Sequence, residues 1–170
     1  TDREWLLPHF EKMLYDQALL SMACLETFQI TKETFYAKTA EEIFIYLFRD
    51  MTSSEGAFFA AEDADSEGVE GKFYVWTIEE FRQILGDGEA EYWEKIFNLK
   101  KEGNFSEEAT GQKTGANILH LNFSPDQWAE NAAMEKEEMT RWENARKLLF
   151  KFREQRIHPL KDDKILTDWN

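Results

Sequence analysis

The side chains best suited to chemistry crowd into one short acidic stretch: Glu62, Asp63, Asp65, Glu67 and Glu70, interleaved with Gly68 and Gly71. The order Asp63, Asp65, Glu67, Gly68 matches positions one, three, five and six of a helix-flanked calcium loop. The match then stops, because Tyr74 stands where the bidentate Glu belongs and no helix leaves the loop. No dedicated calcium site is expected. The plain alternative is a solvated acidic turn. A third reading places Glu62, Asp63 and Asp65 along a pocket beside Tyr74 and Trp76. Carboxylates next to aromatic platforms suit sugar hydroxyls and ring faces, and paired carboxylates are the machinery of glycoside chemistry.

A second set lies near the start of the chain. His9, Lys12 and Asp16 are spaced by three and four, with Glu11 and Tyr15 between them. On a helix beginning at Pro8 or His9 the three share one face, where they could exchange protons or hold an anion. The competing reading is a helix end with a Lys12–Asp16 pair. A third set is Asp162, Asp163 and Asp168 beside Trp169 and Asn170. Thr167 reads as a helix cap there, with Asp168 at the helix start. One Cys and three scattered His give no zinc pattern. Neither a phosphate loop, nor a dinucleotide fingerprint, nor a nucleophile elbow occurs. No metal and no cofactor are expected.

These sets need elements to hold them. Phe10, Met13, Leu14, Ala18, Met22, Leu25 and Phe28 follow helical spacing, and Tyr15, Leu19 and Leu20 fill other faces. Such a helix is buried on more than one side. Thr31 is placed to cap a second helix, whose apolar positions run from Phe35 to Met51. The two form an αα-hairpin with too much apolar surface to stand alone. Ala57–Ala61 and Lys72–Trp76 then read as paired strands of a β-hairpin over about residues 57–76. Thr77 and Glu80 make a capping box for a short helix closed by Gly86. Another short helix covers about Glu89 to Phe97, and a long polar loop runs from Leu99 to Gly115. Asn117 to Leu121 is open to pairing as a short strand. Ser124, Pro125 and Gln127 start a long helix that runs to about Arg156, acidic first and basic last, as its dipole favours.

With 170 residues and 15% aromatics, a packed core is expected. A net charge of −14 repels phosphate backbones, so no nucleic-acid partner is expected. No apolar run is long enough for a membrane span. The lone Cys24 fits a small buried hydrophobe in a reducing, cytoplasmic setting. With no initiator Met and a helix start at Thr167–Asn170, the sequence reads as an excised piece. Its open apolar faces would meet missing parts or another copy.

The strings PHFEKMLYDQA, AEDADSEG with GKFYVWT, EGNF, ANILH and DDKILTDWN, in this order, span nearly the whole chain. Together they resemble the spermatogenesis-associated, thioredoxin-domain-containing (YyaL-type) family. The resemblance implies an N-terminal thioredoxin-like domain followed by a helical toroid of the six-hairpin glycosidase type, similar to N-acylglucosamine 2-epimerases. Residues 1–170 would then be one incomplete segment of that toroid: mainly α, a partial (α/α) toroid with an inserted β-hairpin. The thioredoxin-like part and the later hairpins would be its missing partners, and a small, sugar-like molecule its ligand. An epimerase-like reaction would use His9, Asp63 and Asp65 for proton transfer, with Glu11, Lys12, Asp16 and Asp168 holding hydroxyls and Trp76 stacking on the ring. The segment alone would be inactive. The alternative is a non-catalytic scaffold that serves the thioredoxin-like domain.

Overall fold

The structure, a computed structural model, describes residues 1–3, 5–106, 111–122 and 136–170. Its described residues form five helices and five two-residue strands, so the chain is mainly α. They divide into two compact units. Unit 1 holds Thr1–Pro8 and Ser66–His158, and unit 2 holds His9–Asp65 and Pro159–Asn170.

Unit 2 is built on the expected αα-hairpin. β1 (Lys12–Met13) leads into α1 (Leu14–Thr31), and α2 (Thr34–Asp50) follows. Helix α1 starts later than its periodicity predicts. The backbone of Lys12 and Met13 pairs with β2 (Ala61–Glu62), and the Leu14 N–H donates to Ala60 O at 2.9 Å. Distant strand partners thus take the groups that a first helical turn would have used. His9, Lys12 and Asp16 therefore do not share a helix face. Asp16 sits in the first turn of α1, where a negative charge complements the dipole. Thr31 ends α1 instead of capping α2, and its hydroxyl accepts from the Glu33 N–H at 3.2 Å. Leu14, Leu47 and Met51 form a small buried cluster, joined by Tyr46, Phe58 and Trp169. Leu19, Ile30 and Phe48 stay largely exposed.

β2 also pairs on its other side, antiparallel to β5 (Lys161–Asp162), giving the order β1–β2–β5. With both edges of β2 occupied, the expected pairing of residues 57–61 with 72–76 does not form. Residues 71–75 turn instead: Gly71, at φ +71°, accepts at its carbonyl from the Tyr74 and Val75 N–H groups. A smaller ribbon, β3 (Asp65–Ser66) with β4 (Val69–Glu70), lies within the predicted hairpin.

Unit 1 carries an aromatic core. α3 (Ile78–Leu85) begins with the predicted capping box. The Glu80 N–H donates to Thr77 Oγ1 at 3.2 Å, and the Thr77 N–H donates to Glu80 at 3.0 Å. Gly86 ends it at φ +79°, and α4 (Asp87–Ile96) follows at once. These helices and α5 (Lys136–Arg153) enclose Phe81, Trp93, Phe97 and Trp142. The predicted helix start at Ser124, Pro125 and Gln127 lies outside the described residues. The long loop after α4 closes on Asn117, which is fully buried. Its side chain accepts from the Lys100 and Asn104 N–H groups and donates to the Trp76, Lys100 and Gly115 carbonyls. Instead of a longer strand, Asn117 makes one β-bridge, to Trp76. No described helix is long and apolar enough to cross a membrane.

Candidate functional site

Three of the strings singled out in the sequence converge on the small sheet of unit 2. PHFEKMLYDQA supplies β1, AEDADSEG supplies β2, and DDKILTDWN begins at the second residue of β5. Two-residue strands have almost no stability alone, so their side chains must supply the grip. Lys12 and Glu62 stand opposite each other in the register, and Lys12 Nζ lies 3.4 Å from Glu62 Oε1. Glu62 is only 3% exposed, so its charge needs this partner. Lys12 also donates to Phe10 O at 3.0 Å. From β5, Lys161 donates to the Asp50 carbonyl at the end of α2, where a cation complements the helix dipole. The Arg49 guanidinium holds the Asp50 carboxylate from the same turn.

Tyr46 is four residues before Asp50 on α2, and its buried hydroxyl reaches toward the Glu62 carboxylate without good hydrogen-bond geometry. Burial first, then the charges of Glu62 and Asp50, raise its pKa well above the ordinary phenol range. Tyr46 is therefore a neutral donor beside a buried carboxylate. Sequence reasoning passed over it because it sits inside an apolar run. The available signal was its spacing of four from Asp50, which puts both on one helix face.

The predicted site residues fall as follows. His9 is exposed, and its Nε2 lies 3.5 Å from Glu11 Oε2, so the two form an accessible imidazole–carboxylate pair. Lys12 is committed to Glu62. Asp63 is exposed; its N–H donates to Leu160 O at 2.8 Å, and its carboxylate accepts from the Asp65 N–H at 3.1 Å. That carboxylate thus shapes the turn carrying Asp65, which is also exposed. Asp168 is exposed, while its neighbours are tied down. Trp169 packs edge-on against Tyr15 at 5.1 Å. Asn170 brackets the Phe58 backbone, accepting from its N–H at 2.7 Å and donating to its carbonyl at 3.1 Å. Trp76 belongs to unit 1, where it is 4% exposed and the Arg156 guanidinium lies 4.1 Å from its ring centre.

No family profile matches the chain. Among curated proteins, the whole chain is 35% identical to part of spermatogenesis-associated protein 20 of Homo sapiens and 37% identical to part of its Mus musculus counterpart. It is also 32% identical, over 98% of its length, to an uncharacterised protein of Caenorhabditis elegans. The chain spans only about a quarter of the length of these relatives. The similarities support the family resemblance read from the sequence.

Proposed function

We propose that this chain is a segment of a spermatogenesis-associated, thioredoxin-domain-containing type of protein, and that it supplies part of a six-hairpin-type helical toroid. In this reading the β1–β2–β5 sheet forms one wall of a carbohydrate-type site. The observation that carries it is the sheet itself, which holds together three separate strings bearing His9, Asp63 and the acids after β5. His9, exposed and next to Glu11, is the general acid/base. Asp63 and Asp65 orient hydroxyls or share the proton, and Glu11, Asp16 and Asp168 add polar contacts. Lys12 acts from behind, keeping Glu62 charged and the sheet in register.

The experiment is a calorimetric screen of a sugar panel on the full-length protein. Binding that both His9→Ala and Asp63→Ala abolish supports the reading. If no sugar binds while both variants melt like wild type, it should be dropped. The second reading, a non-catalytic scaffold for the thioredoxin-like domain, is favoured by one observation. The Asp63 carboxylate already serves the turn, through its bond from the Asp65 N–H.

A further inference from the structure

Unit 1 contains a cavity of about 470 Å³ beside Trp76, within the size range of small-molecule sites. Glu67 and Lys72 pair at 2.7 Å on one side. On another, Arg156 lies 3.4 Å from Glu80. Two carboxylates and two cations line the cavity, so their charges cancel. Gln155 adds an exposed amide at the rim, and Phe73 and Trp76 add apolar wall.

Arg156 fixes the shape of this space. Its Nη1 donates to the Phe73 and Val75 carbonyls, both at 2.8 Å, which fastens the turn after Gly71. Its guanidinium carbon lies 4.1 Å from the centre of the Trp76 ring, close enough for a cation–π contact. Burial lowers the guanidinium pKa from its usual range, and Glu80 opposes the shift. An arginine remains cationic at neutral pH.

The lining discriminates among ligand classes. An anion would meet Glu67 and Glu80, and would approach a chain of net charge −14. A cation would have to displace Lys72 or Arg156 from its partner. An apolar ligand would cover charged groups without replacing their water. Hydroxyls both donate and accept, so several of them on one neutral molecule can serve carboxylates, amide and cations together. We propose that this cavity binds a neutral, polyhydroxylated molecule about the size of one pyranose ring, held by Glu67, Glu80, Gln155 and Arg156 against Phe73 and Trp76. The site shares with the reading above only the class of ligand. It uses none of the residues of the unit 2 sheet.

The test is calorimetry on the full-length protein with methyl glucoside, N-acetylglucosamine and myo-inositol, with sulfate as the anion control. Gln155 lies at the exposed rim, so Gln155→Trp fills the cavity without touching the core, and Gln155→Ala removes a single amide. At least one polyol is expected to bind. Gln155→Trp should weaken it more than ~10-fold, and Gln155→Ala by roughly 3- to 10-fold, as expected for one lost hydrogen bond. Any binding at the sheet is a separate component, so His9→Ala and Asp63→Ala should leave intact the component that the Gln155 variants weaken. Binding that is lost in those two variants but unchanged in both Gln155 variants overturns this inference and leaves the sheet reading standing. Binding of none of the three polyols, or of sulfate in their place, overturns it too. The sheet reading is then judged on its own panel and variants.

Discussion

Asn117 in unit 1 and Tyr46 in unit 2 are both polar groups taken out of water, and they end up in opposite states. The Asn117 amide meets the N–H groups of Lys100 and Asn104 and the carbonyls of Trp76, Lys100 and Gly115. The Tyr46 hydroxyl has a single acceptor in reach, the Glu62 carboxylate, and does not meet it in good hydrogen-bond geometry. Their surroundings differ in the same sense. Asn117 bonds to Trp76, a member of the aromatic core that also holds Phe81, Trp93, Phe97 and Trp142. Tyr46 packs against the smaller cluster of Leu14, Leu47 and Met51, on helices that leave Leu19, Ile30 and Phe48 exposed. A saturated polar group under a large core is a structural fastening. An unsaturated one beside a buried carboxylate is a group with donor capacity to spare. The contrast puts a saturated fastening in unit 1 and a poorly satisfied polar group in unit 2.

The largest effect should come from undoing the fastening. Asn117→Ala strands several buried backbone groups at once, each costing about 1–3 kcal/mol when left unpaired. Local relaxation and water entry recover part of that, so a loss of roughly 3 kcal/mol is expected. Hydrogen-exchange mass spectrometry reads the two units separately. Amides of residues 98–106 and 115–122 should lose protection, while those of α1 and α2 should not. The loop has little room to adapt. A Cβ at Gly103, which stands at φ +85°, would lie 2.4 Å from the Ala116 carbonyl oxygen. Equal loss of protection in both units would break the comparison, because the fastening would then not be local.

Tyr46→Phe should do the reverse. Removing a poorly bonded buried hydroxyl costs little, so at pH 7 the change should stay within about 1 kcal/mol. The alkaline limb is the sharper readout. The folded-state pKa of Tyr46 is raised above the ordinary 10.0. The neutral phenol is thus favoured in the fold, and its contribution is complete below pH 10. It is lost progressively as pH rises above 10 toward the folded value. Wild type should therefore lose stability above pH 10 faster than Tyr46→Phe, as followed by denaturant titration. A loss well above about 1 kcal/mol at pH 7 would mean that the hydroxyl makes a full hydrogen bond to Glu62.

What could be read from the sequence was local, and what could not was the pairing of distant segments. The Thr77–Glu80 capping box and the Gly86 stop need only neighbouring residues, and both form. The αα-hairpin follows from periodicity within each helix. The start of α1 was not legible, because two residues leave no strand period and their partners lie at Ala61–Glu62 and beyond. For the same reason the acids of the loop could not be ranked. Glu62 and Asp63 are adjacent in sequence, yet the sheet buries the first and exposes the second. The closing DWN reads as the start of a helix. Its Trp169 and Asn170 instead pack and bond within unit 2.

The smallest effect tests whether charge pairs follow the same division. In unit 1, Arg141 donates to both oxygens of Glu89 at 3.0 and 2.7 Å, and the pair is well exposed. That hydrogen bond, helped by the one from Trp93, lowers the Glu89 pKa from its ordinary 4.5 against an opposing burial cost. A depressed carboxyl contributes stability above its unfolded pKa and loses it as pH falls through the folded value. Water and salt screen an exposed pair, so its worth should be a few tenths to about 1 kcal/mol. Glu89→Gln keeps an oxygen for the Trp93 indole and removes only the charge. Its deficit against wild type should be present at pH 6, diminish as pH falls below 4.5, and shrink in 1 M salt. Lys12–Glu62 in unit 2 is longer, at 3.4 Å, but far more buried. The deficit of Glu62→Gln should therefore persist in 1 M salt, since buried pairs are screened much less. If both deficits shrink alike, the Glu62 carboxylate is open to bulk ions, and the contrast between the two units loses its electrostatic support.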